Sequence, residues 1–233
     1  FIRALVAFPI MLLFVHLQGG FRTLRCAYPF LQFLRGFLGV LSYTAYYMAM
    51  AIFPLATVTA ILFTSPLIVT VLSVFILRDQ IGARRWVGIL IGFSGMLLIA
   101  RPESSDVGWG IALPALAAFF YSSSIIVTRK LGQTQTGASM ALYAMMTFMV
   151  TSGLAGIAFG DGSLAGQTNP ALEFLLRGWQ IPSLNDFGLI AICGVVAAIG
   201  FYCLSQGYRV AQPSVAAPFE YVALPLSVIW GYV

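Results

Sequence analysis

Charge is what this sequence has least of. Asp, Glu, Lys and Arg make up only 8% of its 233 residues, against about a quarter in an ordinary soluble domain. A chain that is 60% apolar and so poor in charge cannot build the shell that a water-facing surface needs, which argues for a polytopic membrane protein. Histidine occurs once, as His16, and the three cysteines are Cys26, Cys193 and Cys203. Neither residue type has a metal-ligand spacing, and an odd cysteine count gives no disulfide framework. The seven acidic residues are scattered. HExxH, a glycine-rich phosphate loop and a nucleophile elbow are all missing. No cofactor and no metal is therefore expected, and the chain does not read as an enzyme. The net charge of +5 raises nucleic acid as a partner. The basic residues come one to three at a time between apolar runs, without the clustered face that nucleic acid requires. No signal peptide is visible, the first residue is not Met, and both ends read as cut.

What the chain does have is long apolar runs. A membrane helix needs roughly 20 mostly apolar residues. Eight segments qualify or nearly so, at about 1–18, 31–52, 54–77, 85–101, 108–128, 138–159, 187–208 and 213–233. Arg22, Arg25, Arg35, Arg78, Arg84, Arg85, Arg129, Lys130 and Arg209 flank alternate connections on one side, leaving Arg3, Arg101 and Arg177 for the other. The basic side is expected to be cytoplasmic. Asp79 lies with the basic residues, while Glu103, Asp106, Asp161, Glu173 and Asp186 lie opposite. The longest connection, 160–186, is expected outside, with an interfacial patch ALEFLL.

The stretch YTAYYMAMAIFPLATVTAILFTSPLIV (43–69) aligns without gaps on YCLSQGYRVAQPSVAAPFEYVALPLSV (202–228). Pro54 falls on Pro213 and Pro66 on Pro225, both at an offset of 159 residues. The shift covers five helices, an odd number, so the two copies face opposite ways across the membrane. This is the inverted-topology repeat of many secondary transporters. The fold class expected is thus an all-α polytopic membrane protein built from an inverted repeat of five-helix units. The full form has ten helices, and about eight are present here. Residues 1–104 form the first repeat, lacking its first helix, and 105–233 the second, lacking its last.

The run LATVTAILFTSPLIVTVLSVFILRDQIGARRWVGILIGFSGMLLI (55–99) resembles the EamA-type repeat of the drug/metabolite transporter superfamily. Its signs are a small-residue helix ending in Pro66, acidic Asp79 after the next apolar run, Arg84 and Arg85 before a Trp, and Gly88, Gly92 and Gly95. GYRVAQPSVAAPFEYVALPLSVIWGYV resembles the matching part of the second repeat. Arg78-Asp79 departs from the more frequent Gly-Glu. The resemblance implies transport of a small organic metabolite: an amino acid, a nucleotide-related compound, a vitamin or a drug. It also implies a multi-pass protein of the bacterial inner membrane.

Glu220 is the foremost candidate for a site. An unpaired ionisable group at membrane depth costs roughly 2.5–3.5 kcal/mol or more, so such residues usually face a polar interior. Pro218 and Pro225 remove backbone donors around it, and its counterpart in the first copy is Ile61. Tyr202 and Gln206 in the seventh segment and Tyr46 in the second are expected to line a cavity. Tyr221 and Ser123 add an aromatic face and a hydroxyl suited to a planar or amphipathic organic substrate. Arg3, at the outer end of the first segment, is placed to meet an anion or to snorkel. His16 is a weaker protonation candidate. Gly88-x-x-x-Gly92 and Gly156-x-x-x-Gly160 read as close-packing signals.

The function these features point to is a secondary transporter working by alternating access, its partners a small-molecule substrate and the lipid bilayer. A homodimer is left open. The alternative is an intramembrane enzyme acting on a lipid or lipid-linked group. That chemistry needs clustered acids or metal ligands at one membrane face, which the scattered acids do not supply.

Overall fold

The computed structural model describes residues 1–100, 112–223 and 226. Arg101, Glu103, Asp106, Pro225 and the expected repeat boundary near residue 104 lie outside them. The regular structure among the described residues is helical, with no strand. Ten α-helices follow in order: α1 (Ile2–Leu17), α2 (Pro29–Met50), α3 (Leu55–Leu62), α4 (Ser65–Leu72), α5 (Ala83–Ala100), α6 (Ala112–Leu131), α7 (Gly137–Phe159), α8 (Pro170–Leu176), α9 (Leu184–Val210) and α10 (Pro213–Ala216). A π turn, Ser73–Leu77, follows α4, and 3-10 turns cover Phe21–Leu24 and Ala217–Val222.

As far as the described residues reach, the expected segments appear where the apolar runs lie, with two revisions; 108–111 and most of the last segment beyond 223 lie outside them. The span expected over 54–77 is interrupted at Phe63 and Thr64. Pro66 has no N–H, and its ring crowds the carbonyl four residues back, so the α ladder cannot run through. In the span expected from 213, α10 is only four residues long and tightens into the 3-10 turn carrying Glu220. Pro218 is the cause, by the same loss of a donor. The two aligned stretches share this local design: a long helix ends at Met50 or Val210, and a proline opens the next, Pro54 before α3 and Pro213 at the start of α10. Arg78, after the π turn, holds φ of 58°, the left-handed conformation glycine adopts most readily.

Among the described residues, four helical spans are long and apolar enough to cross a membrane: Thr57–Leu77, Ala112–Leu131, Gly137–Phe159 and Leu184–Val210. Helix α1 is apolar but shorter, and α2 has the length but carries Gln32, Arg35 and three tyrosines. Large apolar side chains point outward, Phe75 at 78% and Ile157 at 86% exposure, as a lipid-facing surface requires. Hydroxyls inside the spans donate to carbonyls of their own helix. Thr70 bonds Pro66 O, Ser123 bonds Phe119 O and Thr147 bonds Tyr143 O. This keeps them satisfied without water.

The chain divides into two compact units, each taking segments from both halves of the sequence: Phe1–Val40 with Val127–Val210, and Leu41–Ile126 with Ala211–Val233. In the first unit, Ala4, Ala7, Met11 and Val15 form one helical stripe and are all buried. The inner part of that stripe packs with Ala138, Ala141, Leu142 and Met145 of α7 and Ala198 of α9. The alanines allow close approach between helices. In the second unit, α4 packs on α5, on α10 and on the 217–222 turn, and α3 packs on α5.

Close packing falls on Gly36 and Gly39 as well as on Gly156, and not on Gly88. A Cβ at Gly88 would meet nothing within 4 Å, whereas one at Gly36 would sit 2.7 Å from Thr147 Cβ and one at Gly39 3.3 Å from the Phe148 ring. Thr147 is branched and bonded to its own helix, so it cannot yield. Gly36→Ala is therefore expected to lower stability by about 1–3 kcal/mol, the usual range for overpacking, read as a fall in the detergent-solubilised melting temperature. Gly88→Ala is expected to leave it unchanged. Gly156 does serve close contact, with the Trp179 indole.

The acids of the 160–186 connection fold that connection. The Ser163 backbone N–H and hydroxyl both donate to Asp161 and hold its carboxyl below the usual range. Glu173 accepts from the N–H groups of Gly166 and Gln167, and Asp186 from Ser183. ALEFLL lies in α8, capped by Asn169.

Candidate functional site

The candidate residues fall into two groups, one in each unit. In the second unit, Glu220 sits in the 217–222 turn, partly buried, and Tyr121 of α6 donates to its Oε1 at 2.8 Å. The carboxylate thus accepts from a neutral tyrosine hydroxyl. The neighbouring Tyr221 hydroxyl is buried and has no hydrogen-bond partner among the described residues. Its ring lies 6.2 Å from Phe63 at the break between α3 and α4. Tyr46 Oη lies 3.5 Å from Thr59 Oγ1, whose own hydrogen goes to Leu55 O. Ser123 donates to Phe119 O of its own helix. Tyr121 is thus the tyrosine bonded to the Glu220 carboxylate, Tyr221 is its chain neighbour, and Tyr46 meets Thr59 of α3; the broken backbone around Pro66 and Pro218 supplies irregular turns.

In the first unit, the Tyr202 hydroxyl accepts from Gln18 Nε2 at 2.7 Å, and Gln18 Oε1 accepts from the Ala138 backbone N–H. The Tyr202 ring lies 4.8 Å from Phe14, so this residue ties α9 to the end of α1 and the start of α7. Gln206 is packed so closely on Gly137 that a Cβ there would lie 3.1 Å from its Cα, and its Oε1 is buried without a hydrogen-bond partner among the described residues. Arg3 is partly buried in the first turn of α1, with its carbonyl against Gly194 of α9. His16 is exposed in the last turn of α1, 6.2 Å from the Phe21 ring, where a cation also suits the helix dipole. No cluster of three or more metal-ligating side chains occurs among the described residues.

Arg35 is the residue that the sequence reading placed among loop flanks and the structure moves to the interior. It is 5% exposed. Its Nε donates to Thr128 Oγ1 of α6, one terminal nitrogen to Met140 O of α7 and the other to Ser205 Oγ of α9, each at 2.7 Å. One turn earlier, Gln32 is 2% exposed, and neither its Nε2 nor its Oε1 has a hydrogen-bond partner among the described residues. The signal was present in LQFLRGFLG (31–39). Two polar residues three apart inside an apolar run share a helix face, and the criterion that picked out Glu220 applies to them equally. By contrast, Arg129 and Arg209 do sit at helix ends. Arg129 donates to the carbonyls of Arg209 and Val210 at the end of α9, and Arg209 to Gln135 O.

Known proteins bear out the class. A riboflavin transporter of Vibrio cholerae is 29% identical over 229 residues, 97% of this chain and 70% of the relative. An S-adenosylmethionine uptake transporter of Rickettsia prowazekii is 27% identical over 214 residues, 91% of this chain and 66% of the relative. The chain spans about two thirds of the length of these curated relatives. One solved crystal structure superposes on the whole chain and on 77% of its own length, with a TM-score of 0.75 at 16% identity, and so shares the fold. These relatives are named as transporters rather than enzymes, and the apolar helices agree with an integral membrane protein. Residues 1–101 match the EamA-like transporter family, the family whose repeat the sequence resembles.

Proposed function

We propose that the full-length protein is a secondary carrier of a planar nitrogen heterocycle, of the kind named for its relatives, in a bacterial inner membrane. Two inverted five-helix halves, 1–104 and 105–233 in this chain, alternate the access of the site to either side. The carrying observation is the Tyr121–Glu220 hydrogen bond: an ionisable carboxylate, held by a neutral donor, inside an apolar helical unit. Glu220 sets charge preference or couples a proton, while Tyr221, Tyr46 and Ser123 supply aromatic and hydroxyl surface on the same unit. Tyr202 and Gln206 offer polar groups within the first unit. Arg3 and His16 lie at opposite ends of α1 and act on entry rather than recognition. Riboflavin and S-adenosylmethionine both carry a fused aromatic heterocycle with a polar chain, which suits tyrosine faces and few charges.

The test is flux. The full-length protein is reconstituted in vesicles and offered labelled riboflavin, S-adenosylmethionine, leucine and uridine. Uptake of riboflavin or S-adenosylmethionine above that of empty vesicles is expected. Uptake of neither overturns the substrate class.

A further inference from the structure

We propose that Gln32, in the buried polar layer it shares with Arg35, reads one edge of the transported molecule. That edge sets an N–H beside a carbonyl or ring nitrogen, as in the lactam rim of a flavin or the amidine rim of adenine. This rests on the carrier reading above and names the residue and the chemistry by which the substrate is told apart.

The layer lies wholly in the first unit. Gln32 and Arg35 of α2, Thr128 of α6 and Ser205 of α9 are each at most 5% exposed. Arg35 reaches α6, α7 and α9 with three separate N–H groups. A guanidinium is planar and rigid, so these bonds fix the rotation of α2. Gln32 stands one turn away on the same face and is thereby held at a set place. Its carboxamide is the anomaly. Leaving a buried polar group unpaired costs about 1–3 kcal/mol, and here both the donor and the acceptor end are buried and unpaired among the described residues. Leucine would fill a similar volume at no such cost. Packing therefore gives no reason for an amide at this position, and recognition does. A carboxamide sets a donor and an acceptor side by side in one plane, and it pairs in two-point fashion with an edge that does the same, as Gln does with adenine. Gln206, next in sequence to the Arg35 partner Ser205, adds a second buried, unpaired amide oxygen on α9. Pairing takes place as α2 and its neighbours part to admit substrate, which is the motion of a carrier.

The experiment uses the full-length protein in vesicles, with riboflavin and 3-methylriboflavin, whose imide N–H is blocked, as probes. S-Adenosylmethionine and its N6,N6-dimethyl analogue form a second pair. For the wild type, KM for the blocked member is expected to exceed that for the parent by about tenfold or more, the discrimination of one two-point pair. Gln32→Leu is expected to melt at or above the wild-type temperature. Its KM for the parent should rise to that for the blocked member, and its maximal rate should stay within about twofold. Gln32→Met, a flexible side chain of similar size, is expected to behave the same way. Wild-type KM in either variant overturns the proposal, as does loss of melting temperature together with uptake in both variants. If the wild type takes up the parent and blocked members equally well, the proposal also falls, with the carrier reading intact. If the wild type takes up no member of either pair, both fall together.

Discussion

Arg35→Ala is expected to lower the stability of the protein by about 3 kcal/mol, at about 1 kcal/mol for each of three bonds from a charged donor. That is below the usual range of about 1.5–3 kcal/mol for such bonds because polar contacts within membranes are measured as weaker. The substitution strips Thr128, Met140 and Ser205 of their partner at once and opens a cavity among four helices. Arg35→Lys keeps the charge and much of the volume. A single ammonium cannot place donors on three separate helices, so it is expected to recover no more than half the loss. The measurement is the melting temperature of the detergent-solubilised protein, with gel filtration to follow the folded fraction. Unfolding of Arg35→Ala at the wild-type temperature would show that the guanidinium does not hold these helices.

Glu220→Gln is expected to lower uptake at least tenfold, about 1.4 kcal/mol, while leaving the melting temperature nearly unchanged. Glutamine keeps the length of the side chain and an oxygen to accept from Tyr121, so what is lost is the charge and the ability to take up a proton. The uptake–pH profile is expected to flatten with it. Tyr121→Phe removes the donor but keeps the carboxylate, and is expected to lower uptake by less, about threefold. The order separates the two roles: Glu220 acts on the transported species, and Tyr121 positions Glu220. Full uptake by Glu220→Gln, with an unchanged pH profile, reduces Glu220 to a structural carboxylate.

The helices were legible in the sequence because apolar runs of spanning length have few other uses, and Pro54, Pro66 and Pro213 punctuate them. The tight turn around Glu220 was half legible. Pro218 announced a missing donor, but whether the chain answers with a kink or a 3-10 turn depends on packing against α4. Glycine spacing was misleading at Gly88. A small-residue stripe shows that a face is flat, while the identity of the opposing helix is decided elsewhere, and Gly36 and Gly39 were the ones met by Thr147 and Phe148. Arg35 was hidden by the rule that served best. Counting Lys and Arg at helix ends orients a membrane chain, and it absorbs a buried arginine nearly two turns inside a helix without complaint. The Tyr121–Glu220 bond joins residues 99 apart, and no local pattern carries such a pairing.

A carrier whose site faces one side at a time is told from a pore by counterflow. Vesicles holding the full-length protein are loaded with unlabelled riboflavin or S-adenosylmethionine, then given the same compound labelled outside. Alternating access predicts that internal substrate accelerates entry of the label, because a loaded carrier returns faster than an empty one. Label entry that is independent of internal substrate, and linear in external concentration to the solubility limit, would mark an open pore and contradict it.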